Sequence, residues 1–95
     1  MNRKELLIEY LRRFRLECHY RLDMAPADFK ELPFFIYDGA HKAAREDMIL
    51  EYNLENSFAD LFDSVYGFFK KSIVEEDNYN VADNITIKAI EKEVL

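Results

Sequence analysis

Apolar residues recur along this chain mostly at intervals of three and four, the spacing that gathers side chains on one face of an α-helix. Leu7, Leu11, Phe14, Cys18 and Leu22 fall at i, i+4, i+7, i+11 and i+15, with Leu6 and Tyr10 beside that seam. The spacing predicts a first helix over residues 3–22. The stretch from Phe14 to Met24 also alternates apolar and polar positions without a break, as a half-buried strand does. The helix is the favoured reading, because Leu, Arg and Glu are good helix formers and the apolar stripe continues from Leu7.

Met24-Ala25-Pro26 closes this segment, since the residue before a proline avoids the α region. A short helical turn is expected over residues 26–32, with Pro26 near its start and Pro33 as its stop. Phe34-Phe35-Ile36-Tyr37, closed by Asp38-Gly39, is read as a short strand or an extended core-crossing loop. A second helix is predicted over residues 40–53, where Ala40, Ala44, Met48 and Tyr52 repeat at i+4. Its alanines imply close approach to another helix, while Ala43 and Leu50 fit the stripe less well.

The most regular element begins at Ser57. Phe58, Leu61, Phe62, Val65, Tyr66, Phe68, Phe69 and Ile73 occupy one arc of about 160° at 100° per residue. Asp60, Asp63, Ser64, Gly67, Lys70 and Lys71 fill the opposite arc. Ser57 is placed to cap this helix, and Asp60 stands where a capping-box acid would. After the polar break Glu75-Glu76-Asp77-Asn78, Asn80 or Asp83 is expected to cap a last helix with Ile87, Ile90 and Val94 as its apolar stripe.

The pattern therefore predicts a mainly α protein. It reads as a single compact helical domain over residues 1–95, a small bundle of three or four helices with one short extended segment near Phe34-Tyr37. Composition agrees: 2 Gly and 2 Pro are too few for the many turns of a sandwich or barrel. With 8 Phe and 6 Tyr the chain is also too aromatic to remain disordered. The single cysteine excludes an internal disulfide. Glu9 interrupts Leu6-Leu7-Ile8, so no leader is read there. No run approaches the ~18 apolar residues of a membrane helix. The expectation is a cytoplasmic protein that does not enter a membrane.

The net charge of −6 is unevenly spread. Residues 1–30 hold seven basic against five acidic residues, a balance of +2, and residues 31–95 hold six against fourteen, a balance of −8. Between Arg45 and Lys70 there is no basic residue, while Glu46, Asp47, Glu51, Glu55, Asp60 and Asp63 all fall there. Duplex binding needs a basic face, so nucleic acid is a disfavoured partner.

Few constellations carry chemistry. Cys18 and His19 are adjacent, and on a helix adjacent side chains point about 100° apart. Cys18 lies on the apolar stripe, where packing is the expected role. His41 has Ala44 and Arg45 at i+3 and i+4, and neither is a metal ligand. The carboxylate pairs Glu51/Glu55 and Asp60/Asp63 are read as solvated, whereas acid–base catalysis favours a buried carboxylate. There is no phosphate-binding loop, nucleophile elbow or dinucleotide fingerprint. No catalytic, cofactor-binding or metal-binding residue is expected, and the chain is not read as an enzyme.

Two surfaces have something left over. On a helical first segment Ile8, Leu16 and Tyr20 project away from the core stripe with Arg12 among them, a face suited to a protein partner or to homodimer formation. The acids Glu51, Glu55, Asp60 and Asp63 are either a solvated face or the match for a basic surface on a target. The functional expectation is a small, non-catalytic interaction protein that binds and modulates or inhibits a partner protein, in the style of small acidic phage or mobile-element proteins. One alternative is an acidic nucleic-acid mimic that places residues 46–63 in the basic groove of a target protein. The other is direct nucleic-acid binding through Arg12, Arg13 and Arg15. Against the latter, a solvated surface with i, i+4 pairs such as Glu9–Arg13 is the simpler account of these arginines.

Overall fold

A computed structural model describes residues 1–24 and 33–95, and these residues form four α-helices with no strand among them. They are α1 (Arg3–Met24), α2 (Pro33–Tyr52), α3 (Asn56–Glu76) and α4 (Tyr79–Glu91). The mainly α, small helical-bundle class read from the sequence is therefore the observed one. The alternating stretch from Phe14 to Met24 is helix, and Leu6, Leu7, Tyr10, Leu11, Phe14 and Cys18 are buried along α1. At the start of α1 the Asn2 side chain accepts from the Glu5 amide at 2.9 Å.

The extended segment expected at Phe34-Phe35-Ile36-Tyr37 does not form; these residues are the first turn of α2. Pro33 opens that helix at the position where a missing amide hydrogen leaves nothing unsatisfied and the fixed φ suits the helix. Ile36 and Tyr37 are buried and extend the Ala40, Ala44 and Met48 stripe backward by one turn. A bulky apolar run has only a contextual strand preference, and this stripe overrides it. The turn expected over residues 26–32 lies outside the described residues.

Helix boundaries also differ from expectation. Ser57 is not the cap of α3: the helix begins at Asn56, and Glu55 holds the N-cap position with extended backbone and no side-chain capping bond. Phe58 N–H bonds the Glu55 carbonyl at 3.0 Å instead. Neither Asn80 nor Asp83 caps α4; Asn78 does, accepting from the Val81 amide at 3.1 Å. Val94 lies beyond α4 and is exposed, and the buried stripe of that helix is Ala82, Thr86, Ala89 and Ile90, with Asp83 beside it.

The chain divides into two compact units. The first comprises Met1–Glu9 and Glu55–Leu95. Its core takes Phe62, Val65, Tyr66 and Phe69 from α3. The Phe69 and Tyr79 rings meet edge-on at 5.3 Å, and the Thr86 hydroxyl donates to the Ala82 carbonyl at 2.8 Å. The first turn of α1 is held to the end of the chain by the Arg3 guanidinium on the Leu95 carbonyl and by Lys4 at 3.7 Å from Glu93.

The second unit is Tyr10–Leu54, in which the remaining turns of α1 run antiparallel to α2. Arg21 lies against Gly39, Phe14 lies 6.4 Å from Tyr37 between ring centroids, and Arg13 reaches Asp47. The buried Tyr10 hydroxyl sits 2.6 Å from His41 Nδ1. Burial raises the Tyr37 phenol above its usual 10.0, and the neighbouring Cys18 thiolate adds to the effect.

Two predictions follow from these cores. Phe62→Ala should destabilise the protein by about 3–5 kcal/mol, the range for truncating a buried Phe. Denaturant unfolding measures it, and a variant as stable as the parent would remove Phe62 from the core. For Tyr37, the fold favours the neutral phenol. Its contribution is complete below pH 10.0 and is lost as pH rises through the raised folded value. Stability should therefore fall on the alkaline side of 10.0, and Tyr37→Phe should flatten that fall. An unchanged alkaline profile in Tyr37→Phe would assign the dependence to other groups.

Candidate functional site

The most developed surface lies within the Tyr10–Leu54 unit, along one side of the α1/α2 hairpin. Arg13, Leu16 and Tyr20 follow i, i+3 and i+7 on α1. Phe35, Gly39, Glu46 and Leu50 follow i, i+4, i+11 and i+15 on α2. Both spacings place their residues along one helix face. This side of α2 borders α1, because a Cβ added at Gly39 would stand 3.0 Å from Arg21 Nη1. An open groove of about 270 Å³ runs between the helices, lined by Arg12, Arg13, Leu16 and Glu17 from α1 and Ala43, Ala44, Asp47 and Glu51 from α2.

Leu16 lines this groove, and large apolar side chains stand in water along the same face of α1 and along one face of α2. Leu16 is 55 %, Tyr20 64 %, Phe35 71 % and Leu50 80 % exposed. Single exposed hydrophobics are ordinary on any protein, but four on one side of a two-helix hairpin form a patch that association would cover.

At one end of the groove Arg13 clamps α1 to α2. Its guanidinium donates to Asp47 at 2.9 Å, pairs with Glu51, and lies over the Tyr52 ring at 5.4 Å from the centroid. The Arg13 side chain is only 14 % exposed, whereas those of Asp47 and Glu51 remain 67 % and 54 % exposed. The basic neighbour that the acidic stretch lacks in sequence is thus supplied from another helix for two of its members.

The residues singled out from the sequence are not all brought together. Leu16 and Tyr20 share the hairpin face, and Arg12 and Glu51 line its groove. Ile8 is half-buried in the other unit, in a separate concavity of about 470 Å³ with Met1, Lys4 and Ile87. The physical reason is helical drift: each four-residue step turns 400°, so three steps from Ile8 to Tyr20 rotate the side chain by about 120°. Glu55, Asp60 and Asp63 are exposed in the first unit, Glu55 at the head of α3 and the two aspartates on its outer side. The sequence reading missed Phe35, Asp47 and Leu50 as members of the face. The offset of Leu50 from the Ala40–Ala44–Met48 stripe was the signal that could have found it.

Cys18 is buried, and His41 is buried beside Tyr10. Among the described residues no three His, Cys, Asp or Glu side chains converge as a metal-binding group, and no helix is long and apolar enough to cross a membrane. Compared with protein-family models, curated proteins and solved structures, the chain shows no match.

The Arg13 clamp is mostly solvent-facing on its acidic side, so its strength should be modest. A double-mutant cycle of Arg13→Met with Glu51→Gln should give a coupling of about 0.5–1 kcal/mol at low salt, shrinking as salt rises. A coupling of zero at low salt would reduce the clamp to two side chains that merely lie near one another.

Proposed function

We propose that this chain is a small, non-catalytic interaction protein, and that it binds a protein partner through the α1/α2 face of the Tyr10–Leu54 unit and thereby modulates or inhibits that partner. The observation that carries this reading is the exposure of Leu16, Tyr20, Phe35 and Leu50 on the α1/α2 hairpin. An interface of this kind has an apolar centre and a charged rim, and here Arg12, Asp47 and Glu51 form the rim. The charge is local to the rim, so packing supplies affinity while the ions set orientation and approach.

The acidic-mimic reading draws less support. It needs an array of carboxylates facing a basic target, yet Glu51 already accepts from Arg13. Its carboxylates are also divided between the two units, with Glu46, Asp47 and Glu51 on one and Glu55, Asp60 and Asp63 on the other. For direct nucleic-acid binding, Arg13 is likewise engaged with two carboxylates.

Immobilised protein exposed to extract of its native host distinguishes these readings. Leu50→Glu should lose the specifically retained partner at least about tenfold, the scale of one interface residue worth 1.4 kcal/mol. The double variant Asp60→Asn with Asp63→Asn should retain it. The reverse pattern, with Leu50→Glu neutral and the neutralised aspartates defective, would transfer function to the acidic face of α3.

A further inference from the structure

We infer that the occupant of the α1/α2 face is the same face of a second copy of this chain, related to the first by a two-fold axis running along the groove. This rests on the reading of that face as a protein interface and names what covers it. The argument begins with the placement of charge. Arg12 and Arg13 on α1 stand at the same level along the groove as Asp47 and Glu51 on α2. A two-fold axis parallel to the helices keeps every residue at its level and exchanges left for right. It therefore lays α1 of each copy over α2 of the other and brings Arg12 of each onto Asp47 and Glu51 of the other. A two-fold axis across the helices would instead set each charged end against an uncharged one.

The carboxylates can accept a second cation. Arg13 uses part of their hydrogen-bonding capacity, and their side chains are still more than half exposed. Shape agrees with charge. The same operation sets Leu16 over Ala43, since Leu16 and Glu17 lie at the level of Ala43 and Ala44. A large side chain thus faces a small position of the opposite hairpin, and each favourable contact is made twice, as a self-complementary interface requires. The product is an antiparallel arrangement of four helices with an apolar seam and an ionic end.

The test uses the full chain in sedimentation experiments over a wide concentration range. The parent should be a dimer. Leu50→Glu, changed at a position with little packing to lose, should keep its helical spectrum and dissociate, with the dimer constant raised about 100-fold or more. Arg12→Glu and Glu51→Lys should each weaken self-association, and an equimolar mixture of the two should recover a heterodimer, because the mixed pair restores opposite charges in both of the symmetry-related contacts. A monomeric parent overturns this inference alone and leaves partner retention by the same face to its own experiment. A dimer indifferent to Leu50→Glu, or a mixture that forms no heterodimer, places the two-fold axis elsewhere and overturns it as well.

Discussion

The constraint that everything else answers to is the apolar seam of α1. Leu6, Leu7, Tyr10, Leu11, Phe14 and Cys18 leave almost no surface in water, and at about 25 cal/mol per Å² their burial is a large favourable contribution. Both compact units take one of their helices from α1, its first turns for one and its later turns for the other. A chain of 95 residues buries a smaller share of its surface than a large domain does. It can leave little of such a seam uncovered and still fold.

Covering the seam requires helices that stop in the right places, and this chain stops them without glycine. Both glycines lie inside helices, and neither has a positive φ. The left-handed residues that end helices are Asn53, Asp77 and Glu93, with φ between 50 and 58. After Asn53 the Leu54 amide reaches the Ile49 carbonyl at 3.0 Å, and after Glu93 the Val94 amide reaches Ala89 at 3.1 Å, bonds that satisfy carbonyls a helix end leaves over. Asn and Asp tolerate this conformation better than most residues, because their short polar side chains bond locally. Asp77 closes α3 and Asn78 at once caps α4, so two residues make the whole connection.

How much of this was legible follows from the range of each interaction. The identity of α3 and its buried arc were plain, because Phe62, Val65, Tyr66 and Phe69 carry a period that only a helix satisfies. Residues 34–37 misled, because four bulky apolar residues look alike as strand or as helix. Only the continuation into Ala40 and Ala44, one turn on, decides between them. The caps were misplaced by two to five residues, since Ser57 and Asn80 are at least as competent chemically as Glu55 and Asn78, and backbone geometry makes the choice. The hairpin face was half legible. Leu16 and Tyr20 were visible as apolar residues off the stripe of α1. Their companions Phe35 and Leu50 became visible only when α2 acquired its true start and its direction relative to α1.

The Arg13 clamp shows why charge was the least legible quantity of all. In sequence, six acids stand between Arg45 and Lys70 with no cation among them, a cost without an evident return. Across the hairpin, Arg13 meets two acidic residues that are 34 and 38 positions away. Such a pair adds little stability, since its acidic half faces water, but it is directional, and an Arg fork accepts few geometries. It adds a directional contact to the apolar packing that holds α2 against α1. Leu16, Tyr20, Phe35 and Leu50 stand on one side of the hairpin. A protein with so small a core gains nothing by holding four large apolar side chains in water. In the interaction proposed for this face, association covers them.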